Sequence, residues 1–170
     1  MERWDAYRVA LEPMEGRTLV RGDDIPQDCY HLVCEVLVRH RDGSYLLMQR
    51  DPRKRFGGLW EATAGGFCLK ETAMEELEKK LNYTFHRREL LEETGIAAGE
   101  LRELGRVVCE ENRSVYVDFL CLTDWDKQDV RLQAGETSAY RWASAEEIAR
   151  MGRDELVTKR MQVFVDELRP

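Results

Sequence analysis

Apolar and polar positions along the chain change period several times, and each change marks an element. Residues 3–9 and 17–21 read as a short extended pair around the turn-prone stretch Pro13 to Gly16. Tyr30 to Arg39, YHLVCEVLVR, is β-branched and apolar nearly throughout, the pattern of a strand covered on both faces. Asp42-Gly43 is a hairpin signal, and Ser44 to Gln49 pairs back. After a basic loop, DPRKRFGG at 51–58, Leu59 to Ala64 forms a short strand that ends at Gly65-Gly66. Arg106 to Glu111 and Ser114 to Leu122 make a second hairpin turning at Asn112-Arg113, and Tyr140 to Ala143 is a last short strand. Ser144 with Glu147 three residues on is a capping box that opens a helix. From Asp154 to Leu168 the period is helical, with Val157, Met161, Phe164, Val165 and Leu168 as the buried stripe. Strands and helices that do not strictly alternate predict an α+β layered domain.

One run stands apart. Arg88 to Ile96 reads RELLEETGI and places Glu89, Glu92 and Glu93 at i, i+3 and i+4, on one helical face. Like charges at that spacing repel by a few tenths of a kcal/mol per pair, roughly, and the last turn of a helix is the end where the dipole disfavours anions. Gly95 supplies a left-handed cap, and Ile96 stands where a Schellman motif wants an apolar residue against Leu91. A divalent cation would resolve the conflict between a sound cap and badly placed charges, because hard cations take carboxylate oxygens; the other reading of the run alone is a solvated acidic helix end. Arg88 can orient a carboxylate.

Arg88, Glu89, Leu90, Glu92, Glu93, Gly95 and Ile96 match, position by position, the second half of the Nudix hydrolase signature, in which Gly, five residues, Glu and seven residues precede Arg-Glu-apolar-any-Glu-Glu-any-Gly-apolar. The resemblance extends to the strand YHLVCEVLVR, the hairpin DGSYLLMQR, the approach GGLWEATAGG and the segment TSAYRWAS. It implies a single Nudix domain over 1–170, a mixed β-sheet sandwiched between helices. The opening WDAY and GRTLVRGDDIP resemble the branch near isopentenyl-diphosphate isomerase. That isomerase needs a catalytic cysteine after the hairpin, and DPRKRFGG has none, which makes isomerase chemistry the weaker reading.

The first half of the signature departs from the family. Counting from Gly66, Glu is expected at 72 and Arg at 80, where this chain has Thr72 and Lys80; the matching arginine is Arg88, eight residues late. The stretch responsible, about 71–87, contains ETAMEELEKKL at 71–81, a pattern of good helix formers with Glu-to-Lys pairs. It predicts a separate helix over roughly 73–82, a turn at Asn82 to Phe85 and a restart by His86, with Leu77 and Leu81 on an apolar face. Residues 74–93 also weakly resemble the start of a ribonuclease III domain.

The resemblance implies a magnesium-dependent hydrolase, with manganese as the substitute ion, that cleaves a diphosphate linkage in a nucleoside diphosphate derivative. Glu89, Glu92 and Glu93 would hold the metal with the main-chain carbonyl of Gly66, and Arg88 would orient a glutamate. Glu136 in AGETSAYRW is a candidate general base, with Glu110 and Glu111 behind it. Arg50 and Arg55, in a basic cluster with Arg53 and Lys54, could meet substrate phosphates, and Trp60 could stack a base. Tyr140 and Trp142 share that choice between base stacking and core, and Glu61 could face either core or pocket. His31, His40 and His86 are not spaced as a metal trio. The alternatives are a catalytically impaired or engineered Nudix-fold scaffold or binding protein, or the isomerase-like enzyme.

Composition narrows the partners. A net charge of −7 argues against nucleic acid, and no apolar stretch is long enough to cross a bilayer. The N-terminus MERWDAYRV has no secretory core. Five cysteines without a paired spacing, with Cys34, Cys109 and Cys121 in apolar runs, read as buried reduced thiols and a cytoplasmic protein. The expected partner is a small-molecule diphosphate, and a homodimer is compatible with the sequence.

Overall fold

The computed structural model describes residues 3–67, 90–92, 94–97, 101–158 and 160–167. The inserted stretch, with its predicted helix, turn and restart, lies outside these, as do Arg88, Glu89 and Glu93.

Among the described residues the chain runs through nine strands. β1 (Arg3–Tyr7) and β2 (Pro13–Val20) form a two-stranded antiparallel sheet. The larger sheet contains β3 (His31–His40), β4 (Tyr45–Arg50), β5 (Trp60–Glu61), β6 (Thr63–Phe67), β7 (Leu101–Cys109), β8 (Ser114–Thr123) and β9 (Thr137–Ala143). Its backbone order is β5-β4-β3-β8-β7, with β6 paired to β3 and β9 to β4. β3 and β8 run parallel in unbroken register from His31↔Ser114 to His40↔Thr123, and the other ladders are antiparallel, so the sheet is mixed. Helix α1 (Ala145–Arg150) and helix α2 (Arg160–Glu167) follow.

Two apolar layers cover the sheet, and β3 feeds both. Val36 and Val38 join Leu90 and Ile96 of the acidic segment in one cluster; Leu37 joins Ile148, Met161, Phe164 and Val165 from α1 and α2 in the other. Alternate residues of a strand point to opposite faces, so a continuous apolar run is what a strand buried on both sides requires. The α+β sandwich inferred from sequence is therefore present.

Local differences have local causes. The turn between β1 and β2 lies at 8–12 and not at Pro13 to Gly16, which belong to β2: Leu11 takes the left-handed conformation (φ 64°) and its N–H donates to the Arg8 carbonyl at 2.9 Å. The strand toward the glycine pair breaks at Ala62 and then continues through Gly65-Gly66 to Phe67, because β6 pairs with β3 at Cys34↔Gly66 and Val33↔Phe67. β7 begins at Leu101, five residues before the sequence suggests, and a register shift between Glu103 and Gly105 separates its two parts. α2 begins at Arg160 and not at Asp154, because residues 155–157 bond to the Trp60 main chain instead: Trp60 N–H donates to Glu155 O (2.7 Å) and Val157 N–H to Trp60 O (2.9 Å). The Ser144 capping box forms as expected, with Glu147 N–H donating to Ser144 Oγ and Ser144 N–H to the Glu147 carboxylate. Cys121 is buried while Cys109 is only half-buried, since β7 is the edge of the sheet. Among the described residues no helix is long and apolar enough to cross a membrane.

Candidate functional site

The acidic segment is anchored by its apolar residues. Leu90, Leu91, Glu92 and Thr94 are helical, Leu90, Thr94 and Ile96 are fully buried, and Leu91 and Glu92 are exposed. Gly95 adopts φ 75° and its N–H donates to Leu91 O at 2.8 Å. That single bond is the αL cap rather than the Schellman motif: the Ile96 N–H goes to Thr94 Oγ1 (3.2 Å), and Thr94 Oγ1 donates to Leu90 O (2.6 Å). Ile96 consequently packs in the cluster with Leu90, and Leu91, half-exposed, is not its partner. A methyl group at Gly95 would also stand 3.3 Å from the side chain of Arg131, the residue whose main-chain N–H donates to Thr94 O (2.7 Å). Gly95→Ala is expected to lower stability by about 1–2 kcal/mol, read as a shift of the urea midpoint at unchanged slope.

A pocket of about 280 Å³ opens between β3, β4, β5 and the loops 51–58 and 134–137. Its lining brings together Arg50, Arg55 and Glu136 from the sequence-predicted set, with Lys54, Glu61 and Glu35. The two loops are tied to each other. Asp51 N–H donates to Glu136 O (2.9 Å), and Lys54 is paired with the Glu136 carboxylate. Arg50 Nη1 donates to both oxygens of Glu61 at 2.9 and 2.8 Å, and its Nε to Arg55 O at 3.0 Å. Arg53 turns away from the pocket lining to pair with Asp51 at 2.8 Å, which holds that carboxyl well below the usual range.

Behind the pocket lies a buried charge cluster. Glu35 Oε1 is 2.6 Å from Arg160 Nη2, while its Oε2 is buried with no hydrogen-bond partner among the described residues. Arg160 Nε also donates to Asp118 at 3.0–3.1 Å, and the guanidinium sits 3.8 Å from the centre of the Tyr116 ring. Burial pushes the carboxyls of Glu35 and Glu61 up, against the pull of their arginine partners, and pushes Asp118 up to about 6.

The remaining predicted residues are placed as follows. Gly66 is in β6 against β3, opposite Cys34, one residue from Glu35. Glu92 is exposed and does not line this pocket. Trp60 packs against the second apolar cluster under the Arg141 guanidinium (4.6 Å) and is not part of the lining. Tyr140 and Trp142 pack against the first cluster. Glu110, in the turn between β7 and β8, pairs with Tyr30 and Arg113 and does not line the pocket. His31 stacks on Trp4 at 4.6 Å, and His40 pairs with Asp42. No group of three or more histidine, cysteine or carboxylate residues that could hold a metal occurs among the described residues.

Sequence reasoning missed Glu35 and Phe56, both in the pocket lining. Glu35 had one signal, a lone carboxylate interrupting the apolar run HLVCEVLV; Phe56 had none, because its conformation is set by the loop around it.

Comparison with known proteins identifies the domain. Residues 30–166 match the NUDIX domain. An uncharacterized Nudix hydrolase of Listeria monocytogenes is 28% identical over 151 residues, 87% of this chain and 83% of the relative, and one from Listeria innocua is 26% identical over the same spans. Among solved structures, the Deinococcus radiodurans protein DR0079 superposes with a TM-score of 0.71 at 19% identity, covering 98% of each chain. The NUDIX domain of Shewanella oneidensis NrtR, solved with ADP ribose, gives 0.59 at 22% identity, over 81% of this chain and 87% of that one.

Proposed function

The chain belongs to the Nudix family by its match over residues 30–166, and on that premise we propose that it is a metal-dependent hydrolase that cleaves a diphosphate linkage in a nucleoside diphosphate derivative. The observation that carries the reading is one pocket lined both by Arg50, Lys54 and Arg55 and by Glu35, Glu61 and Glu136, with Arg50 paired to Glu61 and Lys54 to Glu136. Cations bind phosphate oxygens; carboxylates bind a cation or take a proton from water.

The donor set fits a hard divalent ion. It is made of carboxylate and carbonyl oxygens, and Glu35, whose Oε1 is taken by Arg160, keeps a buried Oε2 with no hydrogen-bond partner among the described residues. Glu89, Glu92 and Glu93 with the Gly66 carbonyl would hold the ion, magnesium or manganese, and when bound it would neutralise the diphosphate and polarise the phosphorus under attack. The chain's own groups do the rest. Arg50 and Arg55 fix the phosphate chain, and Arg50 is itself held by Glu61. Glu136, paired with Lys54 in the absence of substrate, is the candidate base for the attacking water. A substrate phosphate that draws Lys54 to itself leaves the Glu136 carboxylate free to accept a proton. Arg88 orients one of the helix glutamates.

Turnover of a panel of nucleoside diphosphate derivatives with magnesium tests the reading. Release of a nucleoside monophosphate, lost on adding a chelator, is the expected result, and no turnover on any of the panel would leave the Nudix-fold binding protein. No observation favours the isomerase: loop 51–58 offers no cysteine.

A further inference from the structure

The loop 51–58 holds a residue that neither packing nor backbone preference accounts for. Phe56 lines the pocket, yet the residue is 50% exposed, and its φ is +61°. A bulky residue in the left-handed region is strained, and such strain persists only where the surroundings enforce it. Here they do. Gly57 N–H donates to Lys54 O and Leu59 N–H to Phe56 O, at 3.0 and 3.2 Å. Gly58 N–H and Arg50 N–H close the loop onto Arg50 O and Leu59 O, both at 3.0 Å. Gly57 lies so close to Pro52 that a Cβ there would be 2.5 Å from the Pro52 carbonyl oxygen. The backbone is thus fixed from both sides, and the ring is held out over the pocket with the Arg55 guanidinium 4.9 Å from its centre.

We propose that Phe56 is the wall on which a planar ring of the substrate stacks, so that the pocket selects diphosphates carrying an aromatic base. The phosphate end of the inference rests on the hydrolase reading above; the stacking end rests on Phe56 alone. An exposed phenylalanine by itself would mean little. This one is strained, rigidly framed, and shares its pocket with the arginines Arg50 and Arg55. A base on the ring would leave its phosphates beside those arginines, and Arg55, already over the phenylalanine, can flank the same stack. At about 280 Å³ the pocket sits at the small end of ligand sites.

The test compares two probes that cannot be hydrolysed, in magnesium: an α,β-methylene nucleoside diphosphate and methylene bisphosphonate, which has no ring. Calorimetric titration of Phe56→Ala should show about a tenfold or greater loss of affinity for the nucleotide and none for the bisphosphonate, with Phe56→Trp within about twofold of wild type. Phe56→Gly should lose the nucleotide in the same way while melting within about 2 °C of wild type, because glycine relieves the strained φ. Equal losses on both probes, no loss on either, no nucleotide binding by wild type, or a Phe56→Gly variant that unfolds at much lower temperature would each overturn the proposal. A wild type that binds the nucleotide through Phe56 but turns over none of the panel would sink the hydrolase and leave the stacking wall. Turnover untouched by Phe56→Ala in kcat and KM would do the reverse.

Discussion

Arg160→Met is expected to cost about 3–5 kcal/mol and to lower the melting temperature by about 10 °C at neutral pH. Among the described residues Arg160 is the one guanidinium between Glu35 and Asp118, with Tyr116 beneath it, and Asp118 is fully buried. Methionine fills much of the volume but leaves two carboxyls facing each other without a counter-charge. The loss should depend on pH, with a sign set by the raised pKa values. The folded Asp118 binds its proton up to about pH 6, whereas the unfolded carboxyl releases it near its ordinary value, lower down. Between the two the folded state holds more protons, so stability falls as pH rises through that window. Without Arg160 both carboxyls shift further up and the decline continues to higher pH. Wild type and variant should therefore lie closer at pH 5 than at pH 8. Adding Asp118→Asn to Arg160→Met should recover part of the loss at pH 8, since one uncompensated charge is gone. A variant that melts like wild type across this range would show that the cluster contributes nothing to stability.

Glu92→Gln and Glu93→Gln should each reduce turnover by about 10²-fold or more, roughly 3 kcal/mol at the transition state. By the sequence pattern each glutamate is a like charge near a helix end that disfavours anions, so loss of the charge itself should not destabilise the protein without metal. Magnesium should separate them from wild type in a melt. At a hundredfold excess over its dissociation constant an ion bound to the folded state adds about 2.7 kcal/mol, about 5 °C or more for a chain of this size, and the variants should gain far less. A wild-type melt indifferent to millimolar magnesium, together with no turnover, would remove the hydrolase reading and leave the impaired Nudix scaffold.

Much of the fold was legible because it follows from period and punctuation. The apolar run around Val36, Leu37 and Val38 gives a strand buried on both faces, Asp42-Gly43 gives its hairpin, and Ser144 with Glu147 gives the start of α1. What the sequence hides is tertiary competition. Val157 has a helical stripe, yet its N–H is taken by the Trp60 carbonyl, so the helix waits until Arg160. The site divides in the same way. The acidic face and the basic loop announce themselves by charge, and Arg50, Arg55 and Glu136 do meet in one pocket. Glu35 and Arg160 are 125 positions apart in the chain, and only the β3·β8 register with α2 laid across it brings them together. Phe56 depends on a loop conformation that no spacing rule encodes.

The parallel pairing of β3 with β8 also bears on the eight residues by which the chain exceeds the signature before Arg88. His31 and Ser114, the first partners in that register, are 83 positions apart, and the insertion lies wholly within the loop their pairing closes. Loop-closure entropy grows only as the logarithm of length, so lengthening this loop by eight residues costs about 0.1 kcal/mol. Removing them should therefore leave the unfolding free energy nearly unchanged on this count, while resetting the spacing from Gly66 to Arg88 to the one the signature specifies. The thermodynamics of closing the sheet and the geometry of the acidic helix are, to that extent, independent variables, and evolution could alter the second without a penalty in the first.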